Sequence, residues 1–314
     1  MNKQKLNMSF FARCYLPVSG NERQTFNFVF GDHAEFEDAQ GNSLRLEGFD
    51  VNSGNTPQTE TTRQEHEACV LRAIDAIQRG LFSKVIVSRV KHESRTALES
   101  ADIVQRLCES YPNAFIYWIS HPEWGEWIGA TPELLLKKNG ALFQTMALAG
   151  TLASGSNEIW DHKLAEEQKM VADFIENTVD SFSPRKKQIH GPFDLIAGPV
   201  RHLCTEYSFE SDENVHAVVR ALHPTPAVCG LPRESSRIFI QNTELHNRRL
   251  YTGYIGIDFP NGDALYWVNL RCMQVFADHF ELFVGGGITS GSNPADEWTE
   301  TERKSQVLLN NIRK

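Results

Sequence analysis

A run from Val284 to Lys304 joins three consecutive glycines to a proline-led, acid-rich helix start, and it restricts the chain more than any other segment. Gly285, Gly286 and Gly287 read as a bare-backbone loop. Without Cβ atoms they can take positive φ and let N–H groups approach a ligand closely. Pro294 suits a helix entry, and Asp296, Glu297 and Glu300 fall in the first turns, where the helix dipole favours negative charge. Glu297, Glu300 and Lys304 are spaced by three and four, so all project from one face. A loop that receives anionic oxygens, beside two carboxylates and an ammonium, suits an anionic ligand held through a metal ion. The same residues would equally serve as capping and as a surface Glu–Lys pair. No Gly-Lys-Ser/Thr follows the glycines and their spacing is not the dinucleotide fingerprint, which excludes both phosphate-binding motifs.

Composition narrows the class. The chain has 314 residues, 41% hydrophobic and 23% charged, enough for one large core or two smaller ones. A net charge of −9, from 31 basic and 40 acidic residues, argues against a nucleic-acid partner. No apolar run approaches the roughly 20 residues that span a bilayer, and the first residues lack the apolar segment of a signal peptide. A cytoplasmic protein without a membrane partner is therefore expected. The six cysteines have no Cys-x-x-Cys spacing, so they read as small core residues rather than a zinc or redox site.

Strand signals cover Thr25–Phe30, Ser43–Leu46, Val85–Val90, Phe115–Ile119, Gly253–Asp258, Ala264–Leu270 and Phe280–Val284. A hairpin is expected for Leu134–Lys137 and Leu142–Met146 around Asn139-Gly140. Helical periodicity predicts helices near Arg63–Gln78, Ala101–Ser110, Asp161–Phe182, Asn214–Ala221, Glu234–His246 and Asp296–Asn310. Residues 51–62 read as a polar linker and Ser183–Asp194 as an exposed loop, followed by a short strand. Hairpins mixed with helices, without βαβ alternation, indicate an α+β protein.

Four further segments carry chemistry. Lys84 opens the apolar run Val85-Ile-Val, where an ammonium losing its hydration can serve as a base; a lysine snorkelling from a strand end fits the pattern too. Glu133 follows Thr131-Pro132 and precedes three leucines, a setting that suits a general acid or a capping carboxylate. Glu167 lies three after Leu164 and four before Val171, on the apolar stripe of its helix; Glu166 does not. A charge there needs a cation, either a metal shared with Glu300 or an internal Arg or Lys. Arg271 interrupts an apolar strand, which suits bidentate capture of a carboxylate or a buried salt bridge.

Taken together, Ser83-Lys-Val-Ile-Val-Ser-Arg, Gly129-Ala-Thr-Pro-Glu-Leu-Leu, Ala147-Leu-Ala-Gly-Thr, Leu222-His-Pro-Thr-Pro-Ala-Val, Arg248-Arg-Leu-Tyr-Thr-Gly, Leu270-Arg-Cys-Met and the glycine-to-Glu-x-x-Glu-x-x-x-Lys run occur in one order over about residues 64–310. This series resembles the chorismate-utilising enzymes: isochorismate synthase above all, salicylate synthase, and component I of anthranilate and aminodeoxychorismate synthases. The resemblance implies an anthranilate synthase component I-like fold of two large, mainly antiparallel sheets flanked by helices, with the site between them. It implies a single catalytic domain over 1–314, its shortened N-terminal region (about 1–62) contributing strands. It also implies a Mg²⁺-dependent reaction on chorismate, with Glu167 and Glu300 on the metal and Glu297 close by. Arg271, Lys304 and the Gly285–Gly287 backbone would take the other anionic oxygens, and Thr151, His223 and Tyr251 would line the pocket. By the same resemblance Lys84 activates water for attack at ring carbon 2 and Glu133 protonates the hydroxyl leaving carbon 4, giving isochorismate. Keeping Lys84, and Ala149 where aminodeoxychorismate synthases often place a lysine, favours water over ammonia, so no glutaminase subunit is expected. Salicylate synthesis, which continues to pyruvate loss, is the alternative; ammonia-using chemistry and a non-catalytic chorismate-binding protein come behind it.

Overall fold

The computed structural model describes residues 11–17, 23–30, 36–49, 54–155, 157–197 and 200–313. In chain order the elements are β1 (Phe11–Tyr15), β2 (Thr25–Phe30), β3 (Phe36–Glu37), β4 (Ser43–Glu47), α1 (Arg63–Gln78), β5 (Lys84–Ser94), α2 (Ser100–Ser110), β6 (Phe115–His121), β7 (Gly125–Thr131), β8 (Leu134–Asn139) and β9 (Leu142–Ala153). There follow α3 (His162–Ser181), β10 (Arg185–Ala197), β11 (Val200–Glu210), α4 (Val215–Leu222), β12 (Gly230–Leu231), α5 (Arg233–Thr243), β13 (Tyr254–Asp258), β14 (Ala264–Val268), β15 (Cys272–Val275), β16 (His279–Ile288) and α6 (Pro294–Ile312).

Among the described residues, hydrogen bonding runs unbroken through 16 strands in the order β10-β11-β9-β8-β14-β13-β4-β3-β2-β1-β6-β7-β15-β16-β5-β12. The two expected antiparallel sheets are thus the two ends of one ladder. The short N-terminal strands bridge them: β4 pairs with β13 and β1 with β6. Helices cover the ladder locally. The apolar stripe Val171, Ile175 and Val179 of α3 packs with Phe143, Tyr207 and Phe209, while Leu308, Leu309 and Ile312 of α6 pack with Ile116, Met273 and Leu282.

Local chemistry sets the helix starts. Thr62 caps α1 through a reciprocal box, its Oγ1 accepting from Glu65 N at 3.3 Å and the Glu65 carboxylate accepting from Thr62 N at 2.8 Å. Asn293 Oδ1 accepts from Ala295 N at 2.9 Å, and Pro294 occupies the first turn of α6. Two expectations are corrected. Ser183–Asp194 does not form a loop: most of it lies in β10, the edge strand of the ladder. Register shifts after Arg185 and His190 absorb the irregular Gly191-Pro192 pair, and bulges, lysines and proline are the usual protection of an edge. The three glycines likewise lie inside a strand, β16, paired with Ile86, Val87 and Ser88 of β5. β7 has no sequence signal of its own.

Among the described residues, no helix is long and apolar enough to cross a membrane. All six cysteines are free thiols, and five are buried.

Candidate active site

Both ends of the ladder contribute walls to one cleft. β9 and β11 supply Gly150, Thr151 and His202; β5 and β16 supply Ile86 and Gly285–Gly287; the β7–β8 turn supplies Glu133, α3 Glu167 and α6 Lys304. Tyr251 and Arg271 complete the polar lining, with Leu148, Leu270 and Phe283 as apolar surface. The empty space of the cleft, together with the solvent at its mouth, is about 670 Å³.

Lys84, the first residue of β5, is fully buried and does not snorkel. Its Nζ lies 2.9 Å from Glu167 Oε1, an ion pair whose angles do not make a directed hydrogen bond. Glu133 is also buried. The turn bearing it is fixed by Thr131, whose Oγ1 donates to Val268 O at 2.6 Å, and by Val268 N, which donates to Glu133 O at 3.0 Å. Burial pushes the Glu133 carboxyl up to about 7, against the opposing pull of Lys84, Arg271 and Lys304. Glu133 lines the cleft with Arg271 and Lys304, and Lys84 lies within electrostatic reach of it.

Arg271 does not interrupt a strand as expected. It sits in the connection from β14 to β15 at φ +48°, a left-handed conformation that turns its guanidinium into the cleft. Its Nη2 lies 3.3 Å from His202 Nε2, while His202 Nδ1 lies 2.7 Å from Gly150 O. A carbonyl only accepts and a guanidinium only donates, so His202 is a neutral ring protonated at Nδ1. Burial and the charges of Arg271 and Lys304 hold its pKa down to about 3. His202 is a site residue that the sequence reading missed; the one available signal was a histidine inside the apolar alternation of β11.

The glycines prove to be spacers. None of the three has positive φ, so conformational freedom is not their role. A Cβ on Gly287 would stand 2.2 Å from Glu167 Oε1 and 3.0 Å from Lys84 Cε. On Gly286 it would meet Glu297 Oε2 at 3.1 Å and Glu300 Oε1 at 3.4 Å, and on Gly285 Val87 O and Tyr251 Oη at 2.9 Å. The missing side chains are what let Glu167, Glu297 and Glu300 reach this strand. Lys304 lies 2.6 Å from Glu300 Oε1, and its Nζ also donates to Gly285 O at 2.9 Å. Lys84, Glu297 and Glu300 stand immediately behind the lining rather than on it. His223 is also absent from the lining, and its buried ring packs edge-on against Tyr254 with centroids 5.2 Å apart.

A clear contrast follows between two substitutions. In Gly287→Ala the new methyl displaces the flexible end of Glu167, so turnover falls at least about tenfold while thermal stability is nearly kept. In Gly285→Ala it meets the rigid carbonyl of Val87, which costs about 1–3 kcal/mol of stability. Paired melting curves and rates check both; equal stability losses in the two variants would contradict the spacer role.

Fold and site together define an antiparallel α+β protein with a cation-ringed cleft closed by carboxylates. Residues 22–313 match the family described as chorismate binding enzyme, and the chain belongs to that family. It is 29% identical to the isochorismate synthase EntC of Escherichia coli K12 over 257 residues, covering 78% of this chain and 66% of that relative. The chain therefore spans about two thirds of that relative's length. Among solved structures it resembles DhbC from Bacillus anthracis, with TM-score 0.76, 22% identity, and 98% of this chain and 84% of that one covered. It also resembles anthranilate synthase component I from Streptococcus pneumoniae, with TM-score 0.70, 16% identity, and coverage of 98% and 82%. The fold is thus shared between synthases of different chemistry, and residues must decide the reaction.

Proposed function

We propose that the chain is an isochorismate synthase, isomerising chorismate to isochorismate with Mg²⁺ in one cytoplasmic catalytic domain and without a glutaminase subunit. The observation that carries this reading is the pairing of a buried lysine with a carboxyl that keeps a proton near neutral pH, across one cleft. Lys84 takes a proton from water as its oxygen bonds to ring carbon 2. Glu133 gives its proton to the hydroxyl departing from carbon 4, so water enters and water leaves. Arg271, fixed by His202, and Lys304 hold substrate carboxylate oxygens.

The carboxylates fit Mg²⁺. They offer only hard oxygen donors, gathered along a strand whose missing side chains leave the necessary room. Glu167 and Glu300 would hold the ion, with Glu297 beside them, and the bound ion would neutralise the substrate's ring carboxylate. In the structure Lys84 and Lys304 balance these two glutamates instead.

The purified chain with chorismate and Mg²⁺ should give isochorismate alone, at a rate ammonium does not change. Salicylate with pyruvate would move it to salicylate synthase, and an ammonium-dependent amino product would overturn the reading. Glu300→Ala should raise the Mg²⁺ needed for half-maximal rate at least about tenfold; an unchanged requirement would remove Glu300 from the metal site.

A further inference from the structure

At the far end of the β5–β16 pair, three side chains converge that the proposed reaction does not use. His92 on β5 stands opposite Glu281 on β16 in the antiparallel register, and His279 precedes Glu281 by two residues. Cross-strand partners and residues two apart share a sheet face, so all three project together. One ligand atom from each lies within 4.8 Å of the others. Glu281 Oε1 is 3.6 Å from His279 Nε2 and 3.8 Å from His92 Nε2. Both Nε2 atoms are shielded from solvent, yet neither makes a hydrogen bond.

The orientation of His279 is set from behind. Its Nδ1 lies 2.7 Å from Asp278 Oδ1, which can only accept, so in the neutral ring the proton is on Nδ1 and the lone pair of Nε2 faces Glu281. Glu281 is fully buried; Gln58 N donates to its Oε1, and Arg249 Nη1 lies 3.5 Å from Oε2. We propose that His92, His279 and Glu281 form a second metal site, for a zinc-type divalent transition cation. Two imidazoles with one carboxylate suit such ions, whereas Mg²⁺ prefers oxygen donors alone. Tetrahedral bonds of about 2.0–2.2 Å place ligands roughly 3.3 Å apart, so the two separations from Glu281 close by a few tenths of an ångström. His92 lies eight residues beyond Lys84, about 26 Å along an extended strand. The ion would clamp β5 to β16 and, through Gln58, to the segment before α1, a structural role separate from catalysis.

The test uses the untagged chain, stripped of metal and then held in saturating Mg²⁺, titrated with Zn²⁺ and Co²⁺. One Co²⁺ should bind per chain, with visible bands of nitrogen and oxygen ligation and no thiolate charge-transfer band, and Zn²⁺ should raise the melting temperature. His92→Gln with His279→Gln should weaken binding at least about 100-fold and leave isochorismate formation unchanged, which also verifies folding. If that variant proves unstable, Asp278→Asn, at a largely exposed side chain, should still weaken binding about tenfold. Absence of saturable binding, a thiolate band, or equal affinity in these variants would overturn the site, whatever the fate of the proposed reaction.

Discussion

Replacing Lys84 with alanine should lower turnover by about 10²–10⁴-fold while leaving chorismate affinity little changed. The expectation rests on when the amine acts. A base that takes a proton from the attacking water contributes as that bond forms, so its loss appears in kcat rather than in binding. A competing account is that Lys84 merely neutralises Glu167, whose carboxylate is 2.9 Å from it. Lys84→Arg separates the two. Arginine restores a cation beside Glu167 but stays protonated, so a structural role predicts recovery and a base predicts none. Equal, near-parental rates in the alanine and arginine variants would end the assignment. Lys84→Ala should also lose some stability, because Glu167 is then left without its ion pair; its place on the cleft wall, with access to water, limits that loss.

The local elements were well written in the sequence, and their assembly less so. Arg63–Gln78 carries its apolar face within the segment itself, Thr62 just before it supplies the cap with Glu65, and the helix forms there. Asn139-Gly140 likewise specifies its hairpin. By contrast, β10 is rich in Lys, Pro and Gly because it is an edge, and such composition reads as loop until the neighbour is known. β7 becomes a strand through its partners on both sides, a tertiary effect that no local pattern encodes. The site follows the same division. Lys84, Glu133, Glu167 and Arg271 stood out as charges in apolar settings, and all prove buried or nearly so. His202 was missed because its role exists only through Gly150 and Arg271, which are 52 and 69 residues away. In the sequence the three glycines indicate conformational freedom. Their backbone freedom is unused; the space above the Cα atoms of Gly286 and Gly287, occupied by glutamates from two helices, is what the site requires. The family resemblance implies His223 in the pocket; in the structure its ring packs on Tyr254.

Glu133→Gln should abolish turnover, by about 10²–10⁴-fold, and at the same time make the protein more stable in mild alkali. In the unfolded chain this carboxyl titrates near 4.5; burial raises it to about 7 in the fold. Between those values the folded chain keeps a proton that the unfolded chain has lost, so the group's contribution to stability falls as pH rises through this window. Above pH 7 both states are ionised there and the full penalty applies, about 3 kcal/mol at most by the size of the shift. Glutamine cannot ionise. It keeps nearly the same shape, so at pH 8 the variant should unfold at higher urea than the parent, and near pH 4 the gain should vanish. The parent's kcat/KM should fall as pH rises past about 7, because the proton that Glu133 must donate is then gone. Urea titrations of both proteins at the two pH values, with rates on the same samples, test both consequences. A variant no more stable at pH 8 than at pH 4, relative to the parent, would mean that Glu133 is not held protonated by burial, and the acid half of the mechanism would have to move to another group. If instead stability rises while turnover is lost, the fold bears a standing electrostatic penalty at the one carboxyl the reaction needs uncharged.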